Sequence, residues 1–230
     1  MAIAQHSKKS NSHMTPGHVV GLVHQVMGGI DLDPATTQFA NRLVKAKRYY
    51  DYSTNGLNKR WEGRVFLNPP GGVIARPLRR RDIDIGYESV TDTHSRSTIW
   101  WAKLLHSWLE GAMSQGVFVG FSLEFLRHAQ RISKTWTPLD FPYCIPEDRL
   151  RFDRLVRSRK GKRRVAGAQP TNANIIVYLP EKARDVVRFQ KVFHALGVVR
   201  AGSAYEPWFW RARERNGRKS GWKSKRVKAT

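Results

Sequence analysis

The apolar run Val65-Phe66-Leu67 stops at Asn68-Pro69-Pro70-Gly71-Gly72, and this stop constrains the fold more than any other feature of the chain. Two successive prolines fix φ and lack the N–H that a sheet ladder needs, so a strand interior cannot continue through them. A short run of Val, Phe and Leu without polar alternation suits a strand buried on both faces, as in a sheet covered by helices on two sides. Taken alone, Asn68-Pro69-Pro70-Gly71 reads equally well as a tight turn or as a functional loop at a strand end.

The remaining segments decide what kind of sheet this strand belongs to. Thr15-Pro16 opens a helix, with a threonine cap and proline at the first helical position. Val19, Leu22, Val23, Val26 and Met27 supply its apolar face, and Gly28-Gly29 ends it. Ile30 to Asp33 predicts a short strand running into the turn Pro34-Ala35, followed by an irregular stretch to Tyr50 and a turn at Asn55-Gly56. Ser97 caps a helix whose apolar positions run from Trp100 to Met113, closed by Gly116. Val117 to Phe121 is another buried strand, and Leu123 to Ile132 a further helix. Arg149-Leu150-Arg151-Phe152 alternates like a strand edge. Asn174 to Leu179 is a strand, Glu181 to Leu196 an amphipathic helix, and Val198-Val199 begins a last strand. Strands alternating with helices predict a doubly wound α/β sheet.

Charge points to a polyanionic partner. The 230 residues carry 41 Lys and Arg against 18 Asp and Glu, a formal net charge of +23. Cations that neutralise phosphates release condensed counterions, so nucleic acid is the leading partner. The excess is concentrated: Arg154 to Arg164 holds 7 basic residues and no acid, and Arg211 to Thr230 holds 9 against Glu214 alone. Neither segment shows apolar periodicity, so both read as flexible basic arms. No apolar run is long enough to span a bilayer, and Met1 to Met14 lacks the apolar segment of a signal peptide. Cys144 is the only cysteine, which excludes disulfides within the chain and cysteine-based zinc sites and fits a reducing cytoplasm. The eight histidines show no zinc-ligand pair, so no metal is expected.

Two strand ends carry distinctive chemistry, Asp31-Leu32-Asp33-Pro34-Ala35 and Asn68-Pro69-Pro70-Gly71, and open α/β sheets bind ligands outside the carboxyl ends of their strands. An aryl amine is a poor nucleophile because its lone pair is delocalised into the ring. An asparagine oxygen and a neighbouring backbone carbonyl can accept hydrogen bonds from both amine protons and favour the localised form. Prolines fix that carbonyl without offering a competing donor. Carboxylates at the other strand end can accept from an ammonium group or from ribose hydroxyls, although either aspartate singly could be a turn residue.

In its ordered motifs the chain resembles the phage-type DNA adenine-N6 methyltransferases of the Dam-like family. The likeness runs through Thr15-Pro16-Gly17-His18-Val19-Val20, Ile30-Asp31-Leu32-Asp33-Pro34-Ala35, Ala40-Asn41, Val44-Lys45-Ala46, Tyr49-Tyr50 and Asn55-Gly56-Leu57. It continues through Trp61, Gly63, Val65-Phe66-Leu67-Asn68-Pro69-Pro70, Trp100-Trp101, Phe118 to Ser122 and Arg149 to Phe152, covering roughly Thr15 to Gly197. The resemblance implies a Rossmann-like S-adenosylmethionine-dependent methyltransferase fold with an abbreviated doubly wound sheet. The methyltransferase domain would span 15–210, with inserted loops at 72–96 and 154–170, a disordered 1–14 and a basic tail at 211–230. S-adenosylmethionine would be the donor and S-adenosylhomocysteine the product. Asn68, Pro69, Pro70 and Gly71 would form the catalytic loop. Thr15, Pro16, Asp31, Asp33, Pro34, Ala35, Asn55 and Asn68 would border the cofactor.

DNA contacts are expected from Arg79, Arg80 and Arg81 in the long polar stretch, from Arg149 and Arg151, and from Arg159, Lys160, Lys162, Arg163 and Arg164. The chain departs from the family at three places. Gly71-Gly72 stands where an aromatic usually stacks on the flipped base, leaving Trp100, Trp101 or Phe121 as substitutes. Asn55 stands where aspartate is frequent, and no glycine-rich loop follows Asp33-Pro34-Ala35. The residues leave two other readings open: a basic nucleic-acid-binding protein on a degenerate methyltransferase scaffold, or an amino-methyltransferase acting on RNA, cytosine or a protein amide.

Overall fold

A computed structural model describes residues 13–51, 53–70, 96–132, 136–158, 161–165, 167 and 172–219. Its centre is a mixed seven-stranded sheet in the order β10-β6-β9-β5-β4-β2-β3. The strands are β2 (Leu32–Asp33), β3 (Arg48–Tyr49), β4 (Gly63–Leu67), β5 (Met113–Phe121), β6 (Tyr143–Pro146), β9 (Asn174–Leu179) and β10 (Gly197–Arg200). β3, β2, β4 and β5 run parallel, whereas β9 is antiparallel to β5 and to β6, and β10 is antiparallel to β6. The protein is thus α/β, as the alternation of segments predicted, and β6 is a strand that the sequence did not announce.

Both faces of the sheet are covered, which explains the unbroken apolar runs. Phe118 in β5 and Ile175, Val177 and Leu179 in β9 face one core with α3 (Arg96–Leu109). Val117, Val119, Ile176 and Tyr178 face the other core with α1 (Gly17–Met27) and α5 (Ala183–Phe193). Successive strand residues therefore enter different cores. In the first core Trp108 donates its indole N–H to the Pro180 carbonyl at 2.9 Å and meets Phe141 edge-on at 5.1 Å between ring centres. Trp101 is fully buried against Phe118, Phe125 and Phe141.

Several expected boundaries move. Pro16, not Thr15, precedes the first turn of α1, and Gly28 closes that helix in the left-handed conformation at φ 72°. The irregular stretch before Tyr50 contains α2 (Gln38–Val44), whose first turn is held by the Thr37 side chain accepting from the Ala40 N–H at 3.2 Å. Ser97 lies inside α3, whose first described residue is Arg96; Met113 begins β5 because Gly111 turns the chain at φ 77°. α4 (Ser122–Ile132) follows β5 directly. Arg149 to Phe152 is not a strand, although Leu150 and Phe152 are buried and the two arginines exposed.

The basic arms are also corrected. β7 (Asp153–Ser158) and β8 (Gly161–Val165) pair antiparallel, and β1 (His13–Met14) adds a third strand beside β7. His13 and Met14 therefore do not belong to a disordered start. The tail begins as α6 (Pro207–Lys219). Within it Arg213 sits 4.4 Å from the Trp108 ring centre and donates to the carbonyls of Pro180 (2.9 Å), Glu181 and Ser114 (3.3 Å). Burial lowers its pKa to about 10, so the cation persists at neutral pH as an anchor for the helix. Among the described residues no helix is long and apolar enough to cross a membrane.

Candidate functional site

The chain leaves β2 for the neighbouring edge strand β3 and then returns to place β4 on the other side of β2. Between β2 and β4 the strand order therefore reverses, and at such a switch point the loops after two parallel strands part and leave a crevice. Asp33 ends β2, and Asn68 follows the end of β4. A cleft opens there, lined by Asp33, Ala35, Thr36, Phe66 and Asn68, by Met14 and Thr15 from the chain before α1, and by Ala40, Leu43 and Val44 of α2. Its enclosed space is small, about 20 Å3, far below the roughly 300–1,000 Å3 of sites that bury a small ligand. The described residues thus supply one end of a site.

The two aspartates of the first motif have opposite fates. Asp31 lies at the amino end of β2, away from the cleft, where the Arg64 guanidinium grips it through Nε (2.7 Å) and Nη2 (3.0 Å). Lys47 adds an ion pair at 3.0 Å, and the Arg64 N–H donates at 3.0 Å. These contacts, the Arg64 side chain foremost, hold the Asp31 carboxyl well below the usual range. Its role is to clamp β2, β3 and β4 together, and the expectation that it borders a cofactor is corrected. Asp33 is buried, with 3 % of its surface exposed. Its Oδ1 accepts from the Ala35 N–H at 3.1 Å, and the Thr36 side chain also bonds to it. Among the described residues no basic side chain pairs with it, and burial raises its pKa to about 7.

The cleft brings Thr15, Asp33, Ala35 and Asn68 together, as the motifs implied. Pro16, Pro34 and Pro69 are buried beside these residues in the chain, and Pro70 is half-buried. Asn55 does not line the cleft; it turns the backbone at φ 47°, and Gly56 next to it passes so close to the Pro34 carbonyl that a Cβ would meet that oxygen at 2.0 Å. Asn55-Gly56 therefore supports the Asp33-Pro34-Ala35 turn from behind. Trp61 fixes the same turn by donating its indole N–H to the Gly56 carbonyl at 2.8 Å. Asn68 Oδ1 is buried at the cleft.

Among the aromatic candidates, Trp101 is wholly within the core, and Trp100 is buried with its ring stacked on Trp61 at 5.8 Å. Phe121 is half-buried at the carboxyl end of β5, the strand beside β4, and meets Phe152 at 5.3 Å. Arg149 and Arg151 are exposed close by, since the Leu150 N–H between them donates to the Asn174 side chain, which donates to the Gly120 carbonyl. Gly71 and Arg79, Arg80, Arg81, Arg159 and Lys160 lie outside the described residues, as do the side chains of Lys162, Arg163 and Arg164. Cys144 is buried, and its thiol is pushed up to about 12 by that burial, which removes it as a nucleophile.

Sequence reasoning missed the α2 wall of the cleft, Ala40, Leu43 and Val44, and the contribution of Met14, Thr36 and Phe66. The signal for α2 was present in Thr37 followed by apolar residues at 39, 40, 43 and 44, but seven residues are too few for a clear helical period. Comparisons with family models, curated proteins and solved structures find no match to this chain.

Proposed function

We propose that this protein is an S-adenosylmethionine-dependent DNA methyltransferase acting on the exocyclic amine of adenine, on a Rossmann-like methyltransferase fold. The observation that carries the reading is the position of Asp33 and Asn68 over one cleft at the strand-order reversal. A buried carboxylate with no cation beside it among the described residues suits a ligand bearing an ammonium group or hydroxyls, and the neighbouring Thr15 offers a hydroxyl. The donor set therefore fits the methyl donor. When bound, S-adenosylmethionine supplies an activated methyl on a sulfonium, which needs no acid to leave.

The chain's own residues then have to hold an amine in line with that methyl. Asn68 Oδ1 and the Pro69 carbonyl accept the two amine protons, which localises the nitrogen lone pair. Pro69 and Pro70 restrict the backbone, so the carbonyl keeps its direction as bonding changes. Asp33 in its ionised form balances the positive charge of the ligand, and the apolar wall of Phe66, Leu43 and Val44 limits water. The net charge of +23 and the exposed Arg149 and Arg151 favour a nucleic-acid substrate.

Calorimetric titration of the full chain with S-adenosylmethionine tests this reading. A single-site binding heat that weakens at least tenfold in Asp33→Ala is expected. Absence of heat with DNA binding intact would favour a non-catalytic basic protein on the same scaffold.

A further inference from the structure

We propose that the outer edge of β10 docks a second copy of this chain, the two β10 strands pairing antiparallel about a two-fold axis at Val198 and joining the two sheets. The inference is independent of the methyltransferase reading, because β10 is the edge of the sheet remote from the β2–β4 cleft.

Among the described residues β10 has a neighbouring strand, β6, on one side only. Along an antiparallel ladder, residues that exchange hydrogen bonds with the neighbour alternate with residues whose N–H and C=O point away from it. The Glu147 N–H donates to the Leu196 carbonyl at 3.0 Å, which sets the phase. Leu196, Val198 and Arg200 therefore bond inward to β6, and Gly197 and Val199 present their backbone groups outward. The outward Val199 carbonyl is met at the surface by the guanidinium of Arg200 from its own chain, at 2.9 Å. Proteins blunt sheet edges with prolines, bulges or charges. β10 has no proline, and its register against β6 is unbroken from Gly197 to Arg200. Such an edge is a template for another strand.

The side chains point to the same use. Val198 and Ile145 lie directly opposite each other in β10 and β6 and are 53 % and 46 % exposed, a bare apolar pair on one face. Beyond β10, the exposed Tyr205 hydrogen-bonds Gln190 of α5, one helical turn from the exposed Val187. Exposed apolar groups gathered in this way mark surfaces that meet protein.

Charge selects a copy of the chain. In a register centred on Val198, Gly197 exchanges both hydrogen bonds with the partner's Val199, and the two Val198 side chains meet as a close pair. Arg200 then stands beside the partner's Leu196, one strand away from the partner's Glu147, and the contact recurs across the axis. Alternation puts Arg200, Val198, Ile145 and Glu147 on one face, and strands are about 4.8 Å apart, a step that an arginine side chain spans. Both Arg200 and Glu147 are exposed, and neither makes an ion pair among the described residues. A chain of net charge +23 repels its copy, and this register offsets the repulsion by setting each Arg200 near an acid.

An edge of 4 residues makes a small interface of the transient class, below about 1,200 Å2 of buried surface. The test is therefore sedimentation velocity of the full chain, without DNA, in a series reaching about 200 µM. Salt of about 0.15 M screens the net charge beyond about 8 Å and spares ion pairs in contact. The unmodified protein should dimerise within the series. Val198→Lys, which sets two ammonium groups at the axis, should leave only monomer. Arg200→Glu and Glu147→Arg should each weaken association about tenfold or more, and an equimolar mixture of the two should regain it, because every contact in the mixed dimer pairs opposite charges. In the unmodified protein the Gly197 and Val199 amides should exchange more slowly at high concentration than at low, a readout that needs no variant to fold. Monomer throughout the series, undiminished association in Val198→Lys, a mixture no better than its parts, or amide exchange independent of concentration overturns the proposal.

Discussion

Replacing Asp33 by asparagine isolates the charge at the centre of the cleft. The carboxyl is buried and its pKa is raised from 3.8 to about 7. Below about pH 4 both the folded and unfolded chains hold the proton, and the site costs nothing. Between about pH 4 and 7 the unfolded chain releases the proton while the folded chain keeps it, so stability falls as pH rises, and the loss levels off above about 7. At about pH 8 the cost is on the order of 4 kcal/mol, and at about pH 5 on the order of 2 kcal/mol. Asparagine cannot ionise, and its Oδ1 can still accept from the Ala35 N–H. Asp33→Asn should therefore gain roughly 2–3 kcal/mol more over the unmodified protein at pH 8 than at pH 5, read as a shift in urea midpoint at each pH. The same substitution should weaken binding of S-adenosylmethionine, because the buried charge that lowers stability is the one that would meet a cation. A variant whose stability differs from the unmodified protein by the same amount at both pH values would refute the reasoning.

Asn68→Ala should lower methyl transfer to DNA by about 100-fold or more while leaving the thermal midpoint little changed, checked with tritiated cofactor and calorimetric melting. Arg213→Ala should destabilise the chain by about 1–3 kcal/mol through loss of its carbonyl bonds and its contact with Trp108, measured by urea denaturation. Gly56→Ala, whose Cβ would collide with the Pro34 carbonyl, should weaken cofactor binding more than Asn55→Ala does in the same titration. Trp108→Phe should cost about 1 kcal/mol more than Trp101→Phe. Trp108→Phe removes one of the two donors to the Pro180 carbonyl, Arg213 being the other, whereas the Trp101 indole N–H bonds to nothing among the described residues.

The parts of the fold legible in the sequence are those with strong apolar runs. Val65-Phe66-Leu67 and Val117 to Phe121 are strands because their residues enter cores on both faces, and the prolines after Leu67 mark the strand end where the cleft forms. β6 escaped because Tyr143, Cys144, Ile145 and Pro146 carry a proline and alternate between buried and exposed, a pattern that also fits a loop. The β7–β8 pair escaped because its charges mask the alternation, and strand pairing with β1 supplies what periodicity does not. Asp31 and Asp33 are two residues apart and chemically identical. Only the position of Arg64 across the sheet, set by the parallel register of β2 and β4, decides which one is clamped and which one faces the cleft. That distinction lives in tertiary contacts and has no local signature.

The central claim is that Asn68 and the Pro69 carbonyl present an adenine amine to a sulfonium methyl. Nucleoside mass spectrometry of DNA from cells lacking adenine methylation, expressing either the unmodified protein or Asn68→Ala, addresses it directly. The account expects N6-methyldeoxyadenosine with the first and its loss with the second. Unmethylated adenine in the presence of folded, cofactor-binding protein, or methyl groups found on cytosine instead, would contradict it.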